Sequence, residues 1–305
     1  MAEELSEAEE TKDPFAGWPG LPVKDRAVYA YSMSGDEPYT LGADSLPKPG
    51  VPTGTVTQHE WTGSKVYPLT SRDYWVYVPA QYTPDEPACL MVFQDGDMYM
   101  GPEANIPTVF DNLIHSGEMP VTIGLFVSPG SPGPGTPVYG GTGNRQVEYD
   151  TTNGEYASLL VDELLPELRK TYIITADPDG RAICGISSGA VCAFTAAWFR
   201  PDQFRKVVSH CGSFIDIHGA HNYPTWIRRH SRRPIKVFLQ TGKKDLDIAL
   251  GNIPLANDQM AAALRYSEYD FQYIVGEGGH TLMHGGQIFP ATMRWIWKDH
   301  KNITA

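Results

Sequence analysis

No stretch of this 305-residue chain approaches the apolar run that a membrane-spanning helix requires, so no membrane partner is expected. Basic residues are in short supply: 24 Lys and Arg against 36 Asp and Glu leave a net charge of −12. Without a compensating basic stripe, nucleic acid and anionic surfaces make poor partners. Cysteine is scarce too. The four, at positions 89, 184, 192 and 211, fall in or beside predicted buried strands and a helix. They read as core thiols rather than a disulfide framework, and none has metal-ligand spacing. The opening residues, Met1 to Glu10, are acidic where a secretory signal needs a basic flank and an apolar core, which predicts a cytoplasmic protein. A signal already removed would leave the same picture. No internal repeat is visible. What is present is an ordinary globular composition, 41% hydrophobic and 20% charged, sized for one large α/β domain or two small ones.

Residues 1 to about 13 read as a disordered acidic tail, and prolines and glycines to residue 53 predict an irregular arm packed across the domain. Residues 54–300 are then expected to form one domain. Two strand-like runs open it, Thr55 to Trp61 and Arg72 to Val78, the second β-branched and aromatic with a proline stop. Strands and helices alternate after that. Strands are expected at 89–93, 121–127, 181–184, 205–211, 235–240 and 271–275. Helices are expected at 104–115, 155–165 (bent near Pro166), 190–198, 254–267 and 287–298, and a proline- and glycine-rich loop at 129–143. Antiparallel strands followed by strict β/α alternation predict a mostly parallel central sheet with helices on both faces. No insertion is large enough to make a lid domain, which implies an open site.

The most informative segment is Gly185-Ile186-Ser187-Ser188-Gly189, between an apolar strand and an alanine-rich helix. Strand, Gly-x-Ser-x-Gly, helix is a nucleophile elbow, in which tight packing excludes bulky side chains two positions either side of the serine. Serine needs a base to take its proton, and the base needs orienting. In this architecture the order is serine, acid, histidine, on loops past strand ends. Past the strand ending at Gln240 come Asp245 and Asp247; Asp245 lies closer to the strand end. Past the strand ending at Val275 come His280 and His284, of which His280 lies nearer. An oxyanion would need the backbone N–H of Ser188 and a second donor from the loop Gln94-Asp95-Gly96-Asp97-Met98, placed at Asp97 with Gly96 close behind. Substrate-side candidates are Gly96, Met98, Arg145, Ile186, His210 and Trp226. Tyr99, Tyr223, Met98 and Trp226 are candidates for an aromatic floor, with core packing as the rival. Asn144, Arg145, Glu148 and Tyr149 are candidates for ordering the rim. His210 is read as lining the cleft rather than joining His218 and His221 at a metal. No metal or cofactor is expected.

These motifs carry a family resemblance. From about residue 53 to 298 the chain resembles the α/β-hydrolases of the putative-esterase group, which includes enterochelin esterases and feruloyl esterases. The resemblance rests on Trp75-Val76-Tyr77-Val78-Pro79, Phe93-Gln94-Asp95-Gly96-Asp97, Asn144-Arg145 with Glu148-Tyr149-Asp150, the elbow, Arg200-Pro201-Asp202-Gln203-Phe204 and Gly278-Gly279-His280. It implies a metal-independent carboxylic ester hydrolase acting through an acyl-enzyme, with a triad mapping onto Ser187, Asp245 and His280. The chain departs where relatives often carry an aromatic residue, having Gly251-Asn252-Ile253-Pro254, and Lys243 and Lys244 precede the acid. The expected substrate is a small-molecule ester of the hydroxycinnamoyl, feruloyl-type class. The alternatives are lactone hydrolysis of a catecholate siderophore, with Arg145, Arg228 and Arg229 as its basic candidates, acyl transfer to an alcohol, and a non-catalytic ligand-binding domain.

Overall fold

The computed structural model describes residues 23–133 and 144–300. The tail read over residues 1–13, and 134–143 of the glycine-rich loop, lie outside the described residues. The first element among the described residues is helix α1 (Val23–Ser32), followed by strands β1 (Thr55–Thr62), β2 (Ser71–Val78) and β3 (Cys89–Gln94). Helices α2 (Gly96–Met100) and α3 (Ile106–His115), strand β4 (Thr122–Val127) and helix α4 (Asn144–Asp150) come next. Helices α5 (Glu155–Ser158) and α6 (Leu165–Leu168) flank a π-helical stretch, Leu159–Leu164. Then β5 (Arg181–Ile186), α7 (Ser188–Phe199), β6 (Lys206–His210), α8 (Tyr223–Arg229) and β7 (Lys236–Gly242) alternate. A small hairpin of β8 (Asp247–Ile248) and β9 (Gly251–Asn252) precedes α9 (Ile253–Tyr266), β10 (Phe271–Gly276) and α10 (Met283–Trp297).

Eight strands form one sheet in the order β1-β2-β4-β3-β5-β6-β7-β10. β2 pairs antiparallel with β1 and β4, and every other pair is parallel. Successive residues of the central strands feed opposite faces, as the two-residue repeat of a strand demands. Leu90, Val92, Ile183, Val207, Val237 and Leu239 join one core with α5 to α9, while Met91, Phe93, Cys184, Val208 and Phe238 join another with α2, α3 and α10. Helix α7 is buried from Ser188 to Trp198, which explains why it is apolar on every side. The result is the α/β-hydrolase sheet, and the four cysteines are buried, none of them in a disulfide among the described residues.

Four helices depart from the sequence expectation, each because its stabilising contacts are distant. The arm expected to be irregular contains α1, whose Tyr29 packs with Ile215, Ile217, Leu246, Ile248 and Ile253. A short helix of weak amphipathy is stable only on such a surface. α2 and α4 replace an expected turn and rim loop, and α8 lies in a stretch whose mixed pattern predicts no element. α10 begins at Met283 rather than 287 because its glycines serve close packing. A Cβ on Gly286 would lie 1.9 Å from Glu103 O, and one on Gly285 2.9 Å from the His210 ring. The bend expected near Pro166 is the π stretch immediately before it.

Candidate active site

The turn between β5 and α7 has no room for side chains at its glycines. A Cβ on Gly185 would sit 2.1 Å from Gly189 O, and one on Gly189 would meet Asp95 Oδ2 at 2.9 Å. Ser187 is held at φ 60°, ψ −125°, a conformation that a non-glycine residue keeps only when its surroundings enforce it. Here the Ser187 N–H donates to His210 O at 2.9 Å, and Ser187 O accepts from Ser213 N at 3.2 Å.

Ser187 Oγ lies 2.8 Å from His280 Nε2, and His280 Nδ1 lies 2.6 Å from Asp245 Oδ1. The Asp245 carboxylate also accepts from Thr241 Oγ1 (3.0 Å) and Leu246 N (2.7 Å), so it is surrounded by donors. An acceptor at Nδ1 places the imidazole proton there and leaves the Nε2 lone pair facing the serine hydroxyl. Such a relay can deprotonate Ser187 and return the proton to a departing group. Asp247 stays outside it, exposed on β8, as does His284, which pairs with Gln240 Nε2 and stacks on Tyr39 at 4.3 Å. Ser213, which no sequence motif marks, places its Oγ 3.1 Å from Ser187 Oγ. The Cys211 sulfur joins Asp245 and His280 in a cluster whose donor atoms lie within 4.8 Å of one another. Burial, and then the Asp245 charge, push its thiol well above the usual range, so it is a weak S–H donor rather than a metal-binding thiolate.

Ser188 opens α7, so its N–H has no carbonyl one turn back to bond. The facing loop, Gln94 to Met98, enters α2 through Asp95 in the left-handed region (φ 53°) and puts Asp97 at the second helical position. Glycine at 96 is a packing requirement, since a Cβ there would come within 2.5 Å of the Phe126 and Val127 backbone. Helix α4 fixes this loop. Arg145 holds the Asp95 carboxylate with two bonds (2.9 and 2.7 Å), and Tyr149 Oη accepts from Asp95 N at 3.2 Å. α4 is itself anchored by a fully buried pair, Arg72 Nη1 and Nη2 on the two oxygens of Glu148 at 2.6 and 2.8 Å.

Several substrate-side expectations are corrected by this geometry. Arg145 pairs with Asp95 and so orders the loop. The His210 ring is fully buried against Tyr99 Oη (3.0 Å), and burial lowers its pKa to about 3, so it is a neutral core residue. Tyr99 and Ile186 are likewise core, with Met98 packed at its edge. Tyr223 is buried and bonds Thr195 Oγ1, and Trp226, partly buried, packs edge-on against it at 5.2 Å at the margin of the core.

Asp150 ends the Glu148-Tyr149-Asp150 motif and has no role that its sequence position suggests. It is fully buried, with the Ser188 hydroxyl as the neighbouring donor that favours its charged form. Burial raises its pKa to about 7 despite the opposing Arg145 charge. A carboxyl with a raised folded-state pKa binds its proton more tightly folded than unfolded. It therefore costs no stability below about pH 4, an increasing amount between about pH 4 and 7, and a constant amount above that. Asp150→Asn should unfold at the same denaturant concentration as the parent near pH 4, and be more stable by ~4 kcal/mol above pH 8. Paired urea titrations at the two pH values check this.

Comparison with known proteins follows the same lines. The Shigella flexneri enterobactin esterase, solved in the presence of enterobactin, matches with a TM-score of 0.68 at 20% identity, covering 86% of this chain and 62% of that one. A ferulic acid esterase from Anaeromyces mucronatus, in complex with ferulic acid, matches with a TM-score of 0.67 at 17% identity, covering 84% and 95%. These likenesses show a shared α/β-hydrolase fold. The iron(III) enterobactin esterase of Dickeya dadantii (strain 3937) is 25% identical over 243 residues, 74% of this chain and 51% of that protein. The chain thus spans about half the length of that curated relative. Residues 70–282 match the family model described as Putative esterase, a span that holds Ser187, Asp245 and His280, and the chain belongs to that family.

Proposed function

We propose that this chain is a serine carboxylic ester hydrolase working through an acyl-enzyme. The observation that carries the reading is the continuous relay from Ser187 Oγ through His280 to Asp245. As Ser187 Oγ attacks the acyl carbon, His280 Nε2 takes its proton, and Asp245 stabilises the resulting imidazolium. The tetrahedral oxyanion is met by the backbone N–H groups of Ser188 and Asp97. Collapse expels the alcohol, which takes its proton from His280 and leaves the acyl group esterified to Ser187. Water then repeats the sequence, with His280 again as base, and frees the acid.

The substrates we favour are hydroxycinnamoyl esters of the feruloyl type. An anionic catecholate would call for cations at the cleft, yet of the three basic candidates Arg145 is bonded to Asp95 and Arg228 donates to Ala262 O while lying over the Tyr266 ring, which leaves Arg229. The likeness to a ferulic acid esterase over 95% of that chain supports the same choice. Lactone hydrolysis of a catecholate siderophore is the second reading, favoured by the relative from Dickeya dadantii. Initial rates on a feruloyl sugar ester, a catecholate trilactone and a short-chain aryl ester should separate them. We expect kcat/KM to be highest on the feruloyl ester. A higher value on the trilactone would transfer the assignment, and no turnover of any of the three would leave a binding domain.

A further inference from the structure

The segment 23–39 lies outside the family match, yet it is bonded to the loops that carry both the acid and the base of the relay. The Ser32 hydroxyl donates to Lys244 O at 2.8 Å, next to Asp245, and accepts from His280 N at 3.0 Å. Ser32 O also accepts from His280 N, at 2.8 Å. Glu37 Oε1 accepts from Gly279 N (2.9 Å) and Thr281 Oγ1 (2.8 Å), so the residues on both sides of His280 are tied to one carboxylate. Tyr39 Oη accepts from Glu277 N at 2.7 Å while its ring stacks on His284. Upstream, Asp25 Oδ2 accepts from Ala249 N at 2.8 Å and pins α1 to the β8–β9 hairpin.

The glycines of the histidine loop make sense in this light. A Cβ on Gly278 would lie 2.2 Å from Glu37 Oε2, one on Gly279 2.1 Å from Ser32 O, and one on Gly276 2.5 Å from Tyr39 Oη. Gly278 and Gly279 admit the arm, and Gly276 admits the His284 ring (2.2 Å) together with Tyr39. A run of Gly276-Glu277-Gly278-Gly279 has little conformational preference of its own and loses much entropy on ordering. The relay, in contrast, needs its imidazole held to a fraction of an ångström. The order has to come from outside the loop: Lys243 N and Lys244 N hold the Gly276 and Gly278 carbonyls, and the arm holds the N–H groups of Glu277, Gly279 and His280.

We propose that Ser32 and Glu37 are positioning residues of the active site, setting the His280 imidazole against Ser187 and Asp245. The inference rests on the ester-hydrolase reading. It is tested in the full chain with Glu37→Ala, Glu37→Gln and Ser32→Ala. The readouts are the rate at which a fluorophosphonate labels Ser187, kcat and KM on an aryl ester, and the melting temperature. Glu37→Ala should lower the labelling rate and kcat about 10- to 100-fold with KM within about twofold, since the chemistry loses alignment and the pocket is untouched. Glutamine keeps the acceptor oxygen, so Glu37→Gln should recover to within about threefold of the parent. Ser32→Ala should shift labelling and kcat in the same direction, and carries the test if Glu37→Ala does not fold. Parental labelling rates in the variants would overturn the proposal, as would losses that follow melting temperature alone with no rescue by glutamine. If the parent itself neither labels nor turns over any ester, the hydrolase reading fails and this inference with it.

Discussion

Ser187→Ala is expected to lower kcat for ester hydrolysis by about 10⁶-fold, with KM changed by less than about threefold. The hydroxyl is the only part of the relay that can form a bond to the acyl carbon, so nothing downstream of it can act. Alanine accepts the same backbone conformation with no new contact, and the elbow is held by main-chain bonds to His210 and Ser213 that the substitution leaves in place. The fold should therefore persist, and burst-phase titration with an aryl ester should show loss of the acyl-enzyme. Activity above about 1% of the parent would be incompatible with the loss expected for a nucleophile. It would move suspicion to Ser213, whose Oγ is 3.1 Å away. Ser213→Ala is the control for that outcome.

The second large effect is expected at the acid. Asp245→Asn should reduce kcat by about 10⁴-fold, through the wrong imidazole tautomer rather than through disorder. The carboxylate accepts from three donors, namely His280 Nδ1, Thr241 Oγ1 and Leu246 N. An amide in its place offers one acceptor oxygen, and presenting its NH₂ to Nδ1 would turn that nitrogen into an acceptor and move the proton to Nε2. Nε2 could then no longer take the proton of Ser187. Asp247→Asn should stay within about twofold of the parent, because exposed substitutions away from a site are usually neutral. Equal activity of the two variants, measured side by side on one ester, would remove Asp245 from the assignment.

Local signals make the elbow and the sheet legible in the amino-acid sequence. Gly185 and Gly189 flank Ser187 within five residues, and compact apolar runs mark β3, β5, β6 and β7 over spans of five to seven. Asp245 and His280 are reachable because strand ends are where loops meet in an open parallel sheet. Choosing between His280 and His284 rests on sequence position alone; what settles the place of His284 is Tyr39, which stacks on it from far away in the chain. Arg145 and His210 mislead for a related reason. Both are polar residues near the site, and only the structure shows that Arg145 is paired with Asp95 and that the His210 ring is buried against Tyr99. Trp226 suits a cleft on chemistry that serves a core equally well. The role of α1 is least legible, since a helix of weak apolar character gains its meaning from partners at the other end of the chain, Ala249 among them.

The separation between Ser32 and His280 also bears on how the protein comes to be active during folding. The elbow is formed by neighbouring residues of β5 and α7, contacts of short loop closure that arise early. The bond from His280 N to Ser32 Oγ spans 248 residues, and the one from Ser32 Oγ to Lys244 O spans 212. Contacts of that span close last, when the sheet already exists to bring the two ends of the chain together. Folding intermediates would then hold a shaped nucleophile with an unset base, and would be inert toward esters. Hydrolysis would begin only as the final docking step completes, so that its onset in a refolding mixture clocks the closure of the whole chain and not the formation of its core.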